Sequence, residues 1–173
     1  RKGVCLLEAP GGMIDEFATD LAHFAHRVLG GIGELENLNR LTGGANMESW
    51  SVDYDGNGYV LRRSPSAELM AGRAYGHDVE AAVVRAAFAA GVKAPEIVGE
   101  IERGDNLGTG YLMRRVEAEV NPAKILANPP PALLADFARE LAAIHAVPLS
   151  ALPTLPETSA ASLLAEMKER FIG

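Results

Sequence analysis

The sequence predicts an α+β fold in two parts: a small antiparallel sheet with a helix packed on it, then an all-helical portion. Three observations predict it. Apolar residues recur at three- and four-residue steps near the start, which is helical spacing. Asp55-Gly56-Asn57-Gly58 separates two β-rich runs and is a strong hairpin signal, because Gly and Asn tolerate positive φ. From Asn121 the texture changes to prolines and long amphipathic stretches. Strands first and helices afterwards are the pattern of an α+β chain.

The elements follow in order. Ile14, Phe17, Leu21, Phe24, Val28 and Leu29 give a helix over 14–29, ended by Gly30-Gly31. Residues 36–42 form a short strand leading into Gly43-Gly44, and Met47–Tyr54, with its Trp, Val and Tyr, is the next. Tyr59–Arg63 returns from the hairpin and stops before Pro65. After a polar connection at 66–76, Asp78 is the expected N-cap of a helix over Val79–Ala90, closed by Gly91. Two further strands are expected over Pro95–Glu102 and Gly110–Val116, joined by Arg103-Gly104-Asp105-Asn106. A linker containing Pro129–Pro131 precedes a helix over Ala132–Ala146 with the stripe Leu134, Phe137, Leu141 and Ile144. A last helix covers Ala160–Phe171. The boundary between the parts is expected near Glu117–Asn121, giving units of 1–117 and 118–173.

The chain of 173 residues is 48% hydrophobic and 23% charged, ordinary for a globular domain that buries a core. A formal net charge of −7 argues against nucleic-acid binding through a broad basic surface. The single cysteine, Cys5, rules out an intrachain disulfide framework and fits a reducing compartment. No apolar run approaches the ~20 residues needed to span a membrane, and Val4–Leu7 is too short for a signal peptide. These features lead to the expectation of a cytoplasmic protein without membrane or nucleic-acid partners.

The arrangement with chemical content is Gly43-Gly44, then Arg62, then Glu80. Glycines between strands present bare backbone N–H groups to phosphates, so Gly43, Gly44, Ala45 and Asn46 are candidates for a phosphate-covering loop. Arg62, on the strand after the hairpin, could reach α- and β-phosphates, with Glu80 eighteen residues on to orient it. Each also has a plain structural role: a turn, a solvated cation, a carboxylate at a helix N-terminus. Tyr111–Glu117 begins apolar and turns polar, as a hinge between lobes would, where adenine bonds to backbone groups.

Several stretches resemble, in collinear order, the aminoglycoside phosphotransferase family. They are Leu41-Thr-Gly-Gly-Ala-Asn, Tyr59-Val-Leu-Arg-Arg-Ser-Pro, His77-Asp-Val-Glu-Ala-Ala-Val-Val-Arg-Ala, Gly91-Val-Lys-Ala-Pro-Glu, Gly108-Thr-Gly-Tyr-Leu-Met-Arg-Arg-Val and Leu141-Ala-Ala-Ile-His-Ala. The resemblance spans about residues 14–173. It is nearest the Val-Leu-Arg-Arg branch, which includes kinase-like domains found beside acyl-CoA dehydrogenases. It implies a protein-kinase-like fold whose N-terminal lobe is followed by the first helices of a helical C-terminal lobe. It also implies transfer of the ATP γ-phosphate, with magnesium, to a hydroxyl of a small molecule. On this resemblance Gly43, Gly44, Ala45 and Asn46 cover the phosphates and Arg62 stands where most kinases carry lysine, with Glu80 its partner. Met113 borders the adenine pocket, and the Arg114 carbonyl and Val116 N–H are the hinge contacts.

The chain departs from the family's pattern in three places. Arg62 is a planar donor where a compact ammonium is usual, and Ala118 stands where glycine usually follows the hinge. The His-Gly-Asp catalytic loop and the later metal-binding Asp have no match: none of His23, His26, His77 and His145 begins a His-X-Asp sequence. Asp136, expected mid-helix, reads as a surface carboxylate rather than a base. No catalytic residue and no metal ligand is therefore assigned in this chain, and magnesium ligands are expected beyond residue 173. The apolar end, Phe171-Ile172, leads to the expectation of a longer parent chain. The acceptor hydroxyl substrate would then meet the missing lobe, and uncovered helices would drive self-association. The alternative is a short protein that binds nucleotide or a partner without catalysis.

Overall fold

The computed structural model describes residues 11–41, 47–66, 68–70, 73–119, 121–155 and 159–172. Gly43, Gly44, Ala45 and Asn46 of the expected phosphate loop lie outside the described residues. Among those described are five strands and five α-helices: α1 (Gly11–Leu29), β1 (Leu35–Leu41), β2 (Glu48–Tyr54), β3 (Asn57–Ser64), α2 (His77–Ala89), β4 (Ile97–Glu100), β5 (Thr109–Arg114), α3 (Pro122–Ala127), α4 (Leu133–His145) and α5 (Ala160–Ile172).

The strands form one antiparallel sheet in the order β1-β2-β3-β5-β4. The hairpin turn is tighter than expected. Asp55 and Gly56 (φ 47° and 70°) make the whole two-residue turn, and Asn57 and Gly58 already belong to β3. Two consecutive left-handed residues match the strand twist, so a two-residue loop suffices.

The sheet is covered on both faces. Alternation along β3 and β5 sends Tyr59, Leu61 and Leu112 toward α1, where they meet Leu21, Phe24 and Ala25. The apolar stripe expected of the first helix is thus the main core. At Gly99 the contact is so close that a Cβ would sit 2.5 Å from Val28 Cγ1. The opposite face carries Tyr111 and Met113, which pack with Ile97, Ala81 and Val84 beneath α2.

Helix α2 starts earlier than the sequence predicts. Its N-cap is Gly76, in extended conformation and without a side-chain cap, so Asp78 lies inside the first turn with Glu80. There both carboxylates face the positive end of the helix dipole, which explains their position without capping. Gly91 (φ 86°) ends the helix in the left-handed region, and Val92 N–H returns to the Ala87 carbonyl.

A short helix, α3, falls inside the stretch expected as linker. Asn121 accepts from Ala123 N–H at 3.0 Å and Pro122 takes the first turn, a start signal the neighbouring prolines obscured. In α4, Asp136 occupies the first turn and pairs with Arg139, rather than lying mid-helix. Leu134, Phe137, Leu141 and Ile144 of that helix are all exposed, as are Leu163, Leu164 and Met167 of α5. Lys93, beyond α2, ties α4 down through Glu140: its N–H donates to Oε2 at 2.9 Å and its Nζ is 3.4 Å from Oε1.

Candidate nucleotide site

Strand alternation decides which arginine of Arg62-Arg63 faces which side. Arg63 turns toward α1, where it lies 4.3 Å over the Phe17 ring and donates to Glu48 Oε2 at 2.9 Å. Arg62 turns toward α2, directly opposite Tyr111 in the β3–β5 register. Its Nε–H donates to Glu80 Oε1 at 3.1 Å. The structure therefore brings together two residues eighteen apart in sequence. Their side chains keep 31% and 27% exposure, so the guanidinium is anchored but still accessible from the sheet face.

Around this pair are groups that sequence reasoning missed. Burial pushes the Tyr111 phenol up to about 12, the Glu80 charge adding to the effect and Arg62 opposing it, so it stays a neutral hydroxyl. His77, 3% exposed, stands one turn before Glu80 on α2. Its Nδ1 shares a hydrogen bond of 3.0 Å with Thr109 Oγ1, and its ring meets Tyr111 edge-on at 6.2 Å. Burial lowers its pKa, Glu80 and Asp78 opposing and Arg62 and Arg73 assisting. The signal in the sequence was the i, i+3 spacing of His77 and Glu80, together with Thr109, Tyr111 and Met113 at alternate positions.

The expected hinge residues sit at the end of β5. Met113 is half-buried in the cluster beneath α2. Arg114 is the last strand residue; its N–H donates to the Glu96 carbonyl at 2.9 Å and its Nε–H to Glu96 Oε2 at 2.6 Å. Val116 lies past the strand end, contrary to the expected strand over Gly110–Val116, and is 65% exposed. Arg115, just past β5, is anchored across the sheet. Its Nη1 donates to Asp53 Oδ1 at 2.7 Å and Ser51 Oγ at 3.0 Å, so it straps the segment after β5 to β2. Bonds from Asn37 and Arg115 hold the Asp53 carboxyl below its usual range.

Of the expected nucleotide contacts, the structure thus joins Arg62 to Glu80 and places Met113, Arg114 and Val116 along the end of β5. Among the described residues no group of three or more His, Cys, Asp or Glu is placed to hold a metal ion. His26 bonds the Gly33 carbonyl at 2.8 Å and packs edge-on against Tyr54. No helix among the described residues is long and apolar enough to cross a membrane.

This sheet order, with a helix on each face and several helices following, is the N-terminal lobe of the kinase-like phosphotransferase fold. The profile of the Phosphotransferase enzyme family matches residues 37–170, and the chain belongs to that family. A solved structure assigned as an aminoglycoside phosphotransferase of Ralstonia eutropha JMP134 shares the fold, with TM-score 0.66 and 20% identity over 89% of this chain and 46% of its own. Aminoglycoside phosphotransferase APH(4)-Ia aligns with TM-score 0.51 and 25% identity, over 77% of this chain and 41% of its own. A thermostable mutant of that enzyme, crystallised as a ternary complex with AMP-PNP and hygromycin B, aligns with TM-score 0.50 and 26% identity over 76% of this chain and 40% of its own. The chain spans less than half the length of these relatives. No curated protein matches it.

Proposed function

We propose that this chain is the ATP-holding part of a small-molecule O-phosphotransferase, with residues 1–117 as the nucleotide lobe and 118–173 as the start of the helical lobe. The observation that carries the reading is the Arg62–Glu80 pair on the inner sheet face of a phosphotransferase-family chain. ATP would supply the γ-phosphoryl group for a hydroxyl acceptor. Arg62 would bind its α- and β-phosphates, Glu80 would keep the guanidinium aimed, and Gly43, Gly44, Ala45 and Asn46 would cover them with backbone N–H groups. Met113 would border the adenine, with the Arg114 carbonyl and Val116 N–H bonding its edge. Magnesium would accompany the nucleotide, but the described residues offer no acidic set to hold it, so no step is assigned through it.

The acceptor is a hydroxyl compound met by residues outside this chain. A cytoplasmic setting suits an ATP-dependent enzyme.

The test is a thermal-shift titration with ATP and magnesium, comparing the chain with Arg62→Ala. Ligand at a hundred times Kd stabilises a one-site protein by about 2.7 kcal/mol. Arg62→Ala should forfeit most of that shift, since bonds to a charged group are worth about 1.5–3 kcal/mol. No shift in the unaltered chain would remove the nucleotide reading. A second reading is nucleotide or partner binding without catalysis. It predicts binding without phosphoryl transfer in the parent protein.

A further inference from the structure

We infer that His77 is the positioning residue of the Arg62–Glu80 pair, fixing the roll of α2 so that Glu80 meets Arg62. The inference rests on the nucleotide reading only for its consequence in affinity; the geometry stands by itself.

Helix α2 sits shallowly on the sheet. Only His77 and Ala81 of this helix are buried, and its apolar contacts with the sheet cluster are the Ala81 methyl and the half-buried Val84. Such apolar contacts are non-directional and leave a helix free to slide or roll. The directional contacts near its start come from His77 and Glu80, one turn apart and therefore on one face. They reach the same face of the sheet two rungs apart: Ser64 pairs with Thr109 and Arg62 with Tyr111, with only the Arg63–Gly110 pair, whose side faces α1, between them on the β3–β5 ladder. His77 takes Thr109 and flanks Tyr111; Glu80 takes Arg62. With the first bond made, the Glu80 carboxylate has little freedom to miss its partner.

The histidine is also held at a price in satisfied bonds. Its Nε2 is buried and has no hydrogen-bond partner among the described residues. A buried polar atom left unpaired is unfavourable, and leucine or methionine would fill the place without that penalty. What histidine adds is a ring nitrogen at the distance Thr109 requires. A cavity of about 230 Å³, lined in part by Gly76, His77, Asp78, Thr109 and Gly110, lies alongside, so dense packing does not fix this end of α2.

The deciding experiment reads the Arg62 Nε–H resonance in ¹⁵N-labelled protein, assigned by its disappearance in Arg62→Lys. Glu80→Gln should displace it, because that bond is the one it makes. His77→Ala and Thr109→Val should displace it in the same direction. His77→Asn should restore the original position, since an asparagine amide places a polar atom where Nδ1 stood. For Mg-ATP, His77→Ala and Thr109→Val should raise Kd about tenfold, the worth of a bond that orients a charged group. An unmoved Arg62 resonance in Thr109→Val, which leaves the helix sequence intact and so keeps the test valid if His77→Ala misfolds, would overturn the inference. Displaced resonances in a chain that does not bind nucleotide would support the positioning role and sink the functional reading alone.

Discussion

Gly110 lies where β5 passes close to β3, beside the backbone of Arg62, and its replacement by alanine tests how the sheet carries the candidate site. Its φ of 156° falls in the range that residues with side chains rarely adopt. A Cβ built there would sit 2.1 Å from the Arg62 carbonyl oxygen and 2.8 Å from the Arg63 Cα. Ordinary contact needs more than 3.4 Å, so the strands must part by over an ångström. Backbone strain of this kind costs about 1–3 kcal/mol. Disturbing a neighbouring ladder bond adds about 1 kcal/mol. The Gly110 carbonyl also accepts from Ile101 N–H at 2.9 Å, so β5 cannot yield without pulling the start of the β4–β5 connection. A loss of about 2–4 kcal/mol in a chain of this length lowers Tm by roughly 5–12 °C. The assay is thermal unfolding by circular dichroism, with Gly104→Ala as control, since nothing lies within 4 Å of a Cβ there. The variant should also bind Mg-ATP less tightly than the control, because Arg62 moves with its carbonyl. A Tm within about 2 °C of the unaltered chain would refute the reasoning, since single surface changes without strain fall within about ±0.5 kcal/mol.

Other expectations follow from single features. His77 has a folded pKa below 6.5, so the unfolded chain takes up its proton first as pH falls. Its contribution to stability is complete above pH 6.5 and declines as pH drops toward the folded value, by at most about 1.4 kcal/mol per pH unit. Denaturant titrations at several pH values should show that slope, and His77→Asn should flatten it. Arg27 donates to Asp105 Oδ1 at 3.1 Å, Glu102 Oε1 at 2.8 Å and the Glu100 carbonyl at 3.1 Å. Its side chain is 38% exposed, so Arg27→Ala should cost only about 1 kcal/mol, and less in high salt, as read from melting curves. The exposed apolar residues of α4 and α5 should make the 173-residue chain self-associate in sedimentation velocity, with Phe137→Glu reducing it. A monodisperse monomer would count against that.

Most elements were legible in the sequence because hydrophobic period and turn residues state them directly. Leu21 and Phe24 carried a helical period whose buried stripe is the core, and Asp55-Gly56 carried a turn that only a hairpin uses. The split of Val60-Leu61-Arg62-Arg63 between two faces follows from alternation alone. The candidate cluster was half legible. Arg62 and Glu80 are charged, and charges announce themselves; His77 and Thr109 form a single polar contact across 32 residues, which no local pattern encodes. The contacts of Arg115 are hidden in the sequence for a related reason. Its partners, Ser51 and Asp53, lie across the sheet from it, and only the β2–β3–β5 register shows that they are near. The start of α3 was missed although Asn121-Pro122 is a sound N-terminal signal, because three prolines at Pro129–Pro131 suggested an extended linker.

The two helices on the sheet are held by different physics, and that difference should be measurable. Helix α1 buries Leu21 and Phe24 completely and is clasped by Arg27 at its last turn, so opening it exposes large apolar side chains. Helix α2 buries only His77 and Ala81, with Val84 half-buried, and adds the ion pairs of Glu80 with Arg62 and Arg85 with Glu100. Half-exposed ion pairs contribute about 0–1 kcal/mol each, whereas full burial of a leucine or phenylalanine contributes about 1.5–3 kcal/mol. Local opening should therefore cost less for α2 than for α1. In native-state hydrogen exchange, amides in the middle of α2, around Ala82–Ala86, should exchange faster than those of Leu21–Ala25. On the proposed function, saturating Mg-ATP should narrow the gap, because a nucleotide bound at Arg62 would favour the docked helix through Glu80. Equal protection of both helices without nucleotide would mean that apolar packing, not the polar contacts of His77 and Glu80, holds α2 in place.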